Sequence, residues 1–279
     1  ANGAVEAGCN PLIAEIYPNN KTTMLNRFHV WFPGGIVIGA LASTAMTSVG
    51  LNWQWQVAII LIPNLCYGAL LLKSEFPTFN REAHSTTSNL RHLLSPLYLF
   101  LVVCMTFTAT TELGTQQWIE RILGASGASP MVLLALITGL MAVGRAFAGP
   151  IVHRFNPTGV LLGSAICSAC GIYLMSQAQG SMLYLAAILF ALGVTYFWPT
   201  MLGCVAEYTP KTGALGMSLI GGAGMFAVSM WNPIIGGWID TAQTQAESNN
   251  LTASQADLFA GQAVLSNLFI FPCVLIIAF

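Results

Sequence analysis

The sequence predicts an all-α protein that crosses a lipid bilayer several times. Apolar residue types make up 55% of the 279 residues and charged types only 7%, whereas roughly one quarter of a soluble domain is charged. Mean hydropathy is +0.70. Segments of alternating hydrophobicity, the pattern of membrane β-barrels, do not occur in the sequence, so the predicted spanning elements are helices.

About nine apolar segments are predicted to be spans, because most approach or exceed the roughly 20 residues that an α-helix needs to cross the hydrocarbon. They are an incomplete span at 1–17 and spans at 30–48, 53–72, 94–111, 130–152, 158–176, 181–206, 213–239 and 258–279. The chain begins inside a span and stops at CVLIIAF without a polar exit. We therefore expect a fragment, truncated at both ends.

The basic residues predict how the spans are oriented. Numbered along the chain, the odd connections contain or adjoin eight of the nine Lys and Arg residues, including Arg145 and Arg154 at the fifth. Only Arg121 falls in an even connection. Because cytoplasmic loops carry the excess of Lys and Arg, the odd connections are predicted to be cytoplasmic and the acidic segment 240–257 external.

One cytoplasmic connection, at 73–93, is longer and more polar than the others, and it is predicted to link two bundles of helices. Residues 1–72 would form the remainder of an N-terminal bundle, about 2.5 spans. Residues 94–279 would form a C-terminal bundle of six helices.

Two short stretches of the sequence repeat each other, AEIYPNNKTTML at 14–25 and AEYTPKTGAL at 206–215. They fall in the first and seventh connections, six spans apart, which indicates a parallel internal repeat of six helices. If the first copy also has six spans, about three and a half of them, roughly 100 residues, precede the first residue. The alternative is a chance match of two short loops, which the span count and the charge pattern disfavour.

An arrangement of six plus six helices around a central cytoplasmic loop resembles the major facilitator superfamily. The segment GRAFAGPIVHRFNP at 144–157 resembles a degraded copy of that family's Gly-x-x-x-Asp-Arg gating loop, with Gly149 and Arg154 kept and His153 where Asp usually stands. More narrowly, NGAVEAGCNPLIAEIYP followed by KTTMLNRFHVWFPGG is similar to helices four and five of the fucose:proton symporter group.

The resemblance implies a secondary active transporter, most simply one for proton-coupled uptake of a sugar or similar neutral solute by alternating access. It also implies a monomeric, multi-pass protein of a bacterial-type inner membrane. An exporter of drugs or metabolites on the same fold is the alternative and predicts a more apolar cavity. An intramembrane enzyme or a receptor ranks third, because neither a catalytic dyad at one depth nor a large soluble domain is visible in the sequence.

Glu6 is the candidate proton-coupling residue. It precedes Tyr17, where the span reaches the cytoplasmic surface, by 11 residues and therefore lies about 16 Å deep. Burial at that depth favours the protonated form of a carboxyl group, and no Lys or Arg is predicted at the same level. The matching Glu of the fucose group is associated with proton coupling. The alternatives are a structural, hydrogen-bonded Glu6 or one paired with a cation in the missing helices.

The stretch FTATTELGTQQW supplies the main substrate-binding candidates. It contains Glu112, about 9 Å below the external surface, with Gln116, Gln117 and Trp118 just beyond it. Amides and hydroxyls beside one aromatic ring suit a hydroxyl-rich, uncharged ligand. The two glutamines also resemble substrate-binding glutamines in helix seven of sugar-transporting relatives. Polarity that merely stabilises the bundle is the alternative.

Further substrate-binding candidates rest on weaker patterns. His29 and Trp31 occupy a zone where the fucose group has cavity-lining polar residues, and His29 is also compatible with a place at the membrane interface. Aromatic residues beside helix breaks point to Trp198-Pro199 and to Asn232 in Trp231-Asn232-Pro233, although packing is the common role of aromatic residues in spans. The remaining candidates, in the segment that resembles helix four, are Asn2 and Asn10.

Nothing in the sequence predicts an enzyme, a metal site or a cofactor other than the coupling proton. Cys167 and Cys170 lie inside a span, where two small packing residues are the expected reading. No phosphate-binding loop, zinc-protease helix or nucleophile elbow occurs, and no basic patch suggests nucleic acid. The predicted partners are a small solute and the lipid bilayer.

Overall fold

The structure, a computed structural model, describes residues 2–75, 86–119 and 129–279. All regular secondary structure in these residues is helical, which confirms the predicted fold class. Seven of the described helices are long and apolar enough to cross a membrane, and a shorter apolar helix is found at Met131–Ala146. The seven are Lys21–Ser48, Trp53–Lys73, Pro96–Gln117, Ala148–Gln177, Met182–Tyr208, Pro210–Ser248 and Ala253–Ala278.

The N-terminal region forms a 15-residue helix followed by two candidate spans, each of which is broken ahead of a proline. A break at His29 separates two segments of one span, and Pro33 follows it by four residues. Proline has no N–H to continue the helical hydrogen bonds, so the helix turns irregular just before it. Pro63 accounts for a second break in the same way. The helices are α1 (Asn2–Ile16), α2 (Lys21–Phe28), α3 (Trp31–Ser48), α4 (Trp53–Ala58) and α5 (Leu61–Lys73).

The predicted linker lies partly outside the described residues, which resume at 86. Its last part is helix α6 (Thr86–Leu93). The next span consists of α7 (Pro96–Ala109), a π-helical turn at Thr110–Gly114 and α8 (Thr115–Gln117). Ser95 begins this span, because its side chain accepts a hydrogen bond from the Tyr98 N–H and Pro96 occupies the first helical position.

The C-terminal region continues with seven helices that contain two internal irregularities. The backbone bends sharply at Asn156, whose φ is 54°, and the next residue is Pro157, so the range Ala148–Gln177 contains two helices that meet at a kink. A second break, at Thr195 and Tyr196, precedes Pro199. The helices are α9 (Pro130–Ala146), α10 (Ala148–Gln177), α11 (Met182–Val194), α12 (Phe197–Tyr208), α13 (Gly213–Ser248), α14 (Ala253–Leu268) and α15 (Ile270–Ala278).

Helix α13 extends beyond the predicted span. It continues to Ser248, and the next helix begins at Ala253. The prediction of an external loop over 240–257 is therefore wrong for most of its length. Proline and glycine are absent from residues 238–248, so no residue there interrupts the helical hydrogen bonds.

The N-terminal and C-terminal regions, which are predicted to be two bundles, contact each other through a polar face of α2, which we call the α2 seam. Lys21 Nζ donates a hydrogen bond to the Ala206 carbonyl at 2.9 Å. Thr22 donates to Glu207 Oε1 through its hydroxyl group, at 2.6 Å, and through its backbone N–H, at 3.2 Å. Asn26 Nδ2 donates to Thr200 Oγ1 at 3.2 Å. The two repeated stretches therefore contact each other, and this contact closes the predicted cytoplasmic end.

Candidate functional site

A cavity of about 330 Å³ lies between the two bundles. It brings together six of the residues predicted to bind a proton or a solute, from the N-terminal region and from three helical segments of the C-terminal region. These are Glu6, His29, Glu112, Gln116, Gln117 and Trp198. Arg145, which the sequence analysis did not assign to the site, also lines it.

The π-helical turn positions Glu112. Such a turn accommodates one more residue than an α-helical turn and is common at functional sites. Glu112 is only 1% exposed, and its Oε1 atom accepts a hydrogen bond from Arg145 Nη2 at 2.8 Å, which also makes a buried ion pair. Its carboxylate is close enough to Glu6 for the two ionised groups to repel each other.

Arg145 is the largest correction to the sequence analysis. It was assigned to the cytoplasmic side, and no Lys or Arg was predicted at the depth of Glu6, but its side chain is 1% exposed inside the site. The span that contains it ends at the Asn156 turn, 11 residues further on, which is the same spacing as that from Glu6 to Tyr17. Counting from the Asn156-Pro157 turn would have placed Arg145 at mid-membrane depth.

The other two acceptors of Arg145 are backbone carbonyls that lack a helical donor because a proline stands four residues later. Nε donates to the Thr195 carbonyl at 2.7 Å, and Nη1 donates to the His29 carbonyl at 3.3 Å. In an α-helix these carbonyls would accept from the N–H four residues later, but residues 33 and 199 are prolines and have none. Gly144 permits the close approach, because a Cβ there would lie 2.7 Å from the Thr195 methyl group.

Three buried polar atoms of cavity-lining residues form no hydrogen bond of good geometry with any described residue. They are Glu112 Oε2, His29 Nε2 and Trp198 Nε1. His29 Nδ1 lies 2.9 Å from the Leu25 carbonyl, and a carbonyl only accepts, so Nδ1 carries a proton. In the neutral ring Nε2 is then an acceptor. These three buried atoms are thus two acceptors and one donor.

Gln117, Trp118 and Asn232 form a connected group at one side of the cavity. Asn232 Nδ2 donates to Gln117 Oε1 at 2.8 Å, and Trp118 Nε1 donates to Asn232 Oδ1 at 3.3 Å. Gln117 lines the cavity, whereas Asn232 and Trp118 do not line it and are connected to it through Gln117. The break predicted at Trp231-Asn232-Pro233 is wrong, because helix α13 continues through these residues with Pro233 inside it.

The other predicted residues lie elsewhere. Asn10 is buried and lines a second cavity, of about 300 Å³, together with Glu6. Trp31 is 74% exposed and does not line the cavity, so its assignment to the site is wrong. The side chain of Asn2 lies outside what the structure describes.

The predicted gating loop is the end of a helix. Gly149 packs against α2, since a Cβ on it would lie 3.5 Å from Thr23 Cγ2. Arg154 is exposed, and its guanidinium group lies over the Phe155 ring at 5.6 Å. A role in gating stays a prediction for both residues.

Comparison with known proteins agrees with this architecture. The profile of the Major Facilitator Superfamily matches residues 1–231. A solved structure of the transporter FucP in the outward conformation is similar over 97% of this chain and 72% of its own, with 16% identity and a TM-score of 0.69. A second structure, of the E. coli fucose:proton symporter FucP, is similar over 98% of this chain and 73% of its own, with 15% identity and a TM-score of 0.68. No curated protein sequence matches at a significant level. The chain therefore belongs to the Major Facilitator Superfamily, as an all-helical, multi-pass membrane transporter.

Proposed function

We propose that this transporter carries a neutral, hydroxyl-rich solute, such as a sugar, inward together with a proton. Transport proceeds by alternating access of the two bundles around the 330 Å³ cavity. No cofactor other than the proton is required. The observation that carries the proposal is the set of three buried, unpartnered polar atoms around that cavity.

These atoms define the hydrogen bonds that a solute must make. Glu112 Oε2 and His29 Nε2 need donors, and Trp198 Nε1 needs an acceptor. A hydroxyl group donates and accepts, so a polyol or sugar satisfies all three atoms. A carboxylate has no proton to donate and would meet two further acceptors, while Arg145 is already held by Glu112 and two carbonyls. The arrangement therefore favours an uncharged solute.

The charges of the cavity support Glu6 as the proton site. Among the described residues that line it, two carry carboxyl groups and one carries a guanidinium group, so these three groups have a net charge of −1 when all are ionised. Arg145 at 2.8 Å stabilises the ionised form of Glu112. A proton on Glu6 then makes the net charge of the three groups zero. A neutral site, with solute and proton bound, is easier to enclose in a low-dielectric environment when the transporter changes conformation.

Similarity to the E. coli fucose:proton symporter gives this proposal independent support at the level of the fold. By the same analogy, we place the protein in a bacterial-type inner membrane as a monomer. The fold itself hosts many substrates, so the choice of solute rests on the cavity.

One observation favours a second function, export of a drug or metabolite. Part of the cavity wall is apolar, and an amphipathic compound would pack against it. The residues concerned are Phe32, Ile36, Leu113, Leu134, Met225 and Val228.

The test uses the natural protein, purified and reconstituted into proteoliposomes with an imposed pH gradient. Labelled sugars, polyols and sugar acids are offered in parallel. We expect accumulation of at least one neutral polyhydroxylated solute, abolished by an uncoupler. Accumulation of sugar acids alone, or proton-driven movement of lipophilic cations without any sugar uptake, would replace the proposal.

A further inference from the structure

Arg145 connects three elements at the centre of the molecule. Two of its hydrogen bonds stay within the C-terminal bundle, to Glu112 in the π-helical turn and to Thr195 at the break between α11 and α12. The third reaches His29, at the break between α2 and α3 in the other bundle. One buried guanidinium group therefore touches the solute cavity and the interface between bundles at once.

The three bonds differ in length. Those within the C-terminal bundle measure 2.7 and 2.8 Å, and the bond across the interface measures 3.3 Å. Longer hydrogen bonds are weaker, so relative motion of the bundles breaks the bond to the His29 carbonyl before the other two. Arg145 then remains with Glu112 and Thr195, and its charge stays paired.

We propose that Arg145 is a positioning residue with two linked roles. It fixes the position of the Glu112 carboxylate beside the solute cavity, and it fastens α2 to the C-terminal bundle through the His29 carbonyl. Release of the His29 carbonyl accompanies opening of the cytoplasmic end. The role of Arg145 toward the solute rests on the proposed function, whereas its role in the contact between the bundles does not.

Restoring a backbone N–H at position 33 tests the proposal. In Pro33→Ala, the new N–H bonds the His29 carbonyl within the helix and displaces Arg145 from it. Spin labels at Asn19→Cys and Lys211→Cys, both exposed near the seam, report the separation of the cytoplasmic ends in the reconstituted natural protein, with its other cysteines replaced. We expect the ratio of separated to closed molecules to rise about fivefold, as loss of one hydrogen bond predicts.

Arg145→Lys provides the second variant. Lysine keeps the charge beside Glu112 but lacks the planar fork that reaches two carbonyls. We expect a similar shift of the spin-label distances. Pro63→Ala, at a proline-associated break remote from the cavity, is the matched control and should leave the distances unchanged.

The proposal requires both variants to shift the distances. A shift in Pro33→Ala alone would assign the effect to the helix break, and a shift in Arg145→Lys alone would exclude the His29 carbonyl as the relevant acceptor. Unchanged distances in both would also overturn it. Where a transported solute is identified, KM should stay within about twofold of wild type in Pro33→Ala while the maximal rate changes. Failure of every sugar to be transported would refute the proposed function and leave the distance test valid.

Discussion

At the scale of single residues, the two glutamates of the cavity have different surroundings. Glu112 is buried and forms an ion pair with Arg145. Glu6 is partly exposed and lines both the central cavity and the second one. Access to water and the excess negative charge suit Glu6 to gain and lose a proton, whereas Glu112 suits a fixed hydrogen-bonding role.

Substitution of Glu6 by Gln separates coupling from binding. A proton that moves down 100 mV releases about 2.3 kcal/mol, enough for roughly 50-fold accumulation of a solute. Glutamine keeps the shape of the side chain but does not titrate. We expect Glu6→Gln to lose uphill, uncoupler-sensitive uptake and to keep exchange across preloaded vesicles.

Glu247→Gln, an exposed substitution near the end of α13, is the matched control and should keep uphill uptake. Full uphill uptake by Glu6→Gln would show that the proton-coupling residue is another acidic residue. Loss of both uptake and exchange, at normal expression, would assign Glu6 to binding or structure.

Trp198→Phe tests the one donor among the three buried atoms. Phenylalanine keeps an aromatic ring but removes the indole N–H, whose loss should weaken apparent solute affinity about fivefold. Trp231→Phe is the control, because Trp231 packs against Trp238 and Phe271 and does not line the cavity. Equal affinities of the two variants, measured as KM for the identified solute, would exclude the indole N–H from solute binding.

The sequence predicted six of the thirteen described residues that line the cavity, but not their pairing. Glu6, Glu112 and the glutamines were found because acids and amides in apolar spans are unusual. Arg145 was missed because the positive-inside rule counts every Arg near a span end as cytoplasmic, and the span was taken to end at 152. Its three acceptors come from distant parts of the chain, and no local pattern contains that information.

At the scale of helices, proline-freed carbonyls recur as points of contact. Besides His29 and Thr195, the Ala7 carbonyl lies four residues before Pro11 and accepts a hydrogen bond from Ser218 Oγ, in the other bundle, at 3.4 Å. A proline inside a span therefore does more than bend it: it exposes an acceptor that a neighbouring helix can use. Prolines accompany the breaks at His29 and Thr195, but Pro11 and Pro233 lie inside continuous helices, and the π-helical turn in TTELG has no comparable signal in the sequence.

Close helix crossings depend on particular glycines. Gly171 of α10 faces the backbone of Phe190 in α11 so closely that an added methyl group would overlap it. Gly171→Ala should therefore force the two helices apart and lower stability by about 1–3 kcal/mol. Thermal unfolding in detergent measures the effect. Gly163→Ala, in the same helix with open space around it, is the control, and equal melting temperatures for both variants would contradict the prediction.

At the scale of the whole molecule, the two bundles meet at the predicted cytoplasmic end and enclose the cavity above it. Contacts between α2 and α12 and between α1 and α13 join the two halves. The sequence predicted that its repeated stretches are related by the internal repeat. That they also contact each other required the structure, because a repeat specifies equivalent positions and not which surfaces touch.

Fastening this end chemically should arrest transport. In a variant with Asn19→Cys and Lys211→Cys, a short bifunctional maleimide would join the bundles, and we expect solute uptake to stop while solute binding at the external side persists. Each single cysteine variant, treated with the same reagent, is the control and should keep its uptake. Undiminished uptake by the cross-linked protein would show that this contact stays closed throughout the cycle.

The bonds of Arg145 also link the evolution of three sequence positions. An apolar residue at 145 would leave two buried carbonyls without donors as long as residues 33 and 199 remain proline. Conversely, non-proline residues at 33 and 199 would restore the helical hydrogen bonds to the two carbonyls. The guanidinium group would then keep only Glu112 as a partner. Among natural relatives, arginine at 145 and proline at 33 and 199 should thus be inherited or lost together, and an alignment in which they vary independently would contradict this.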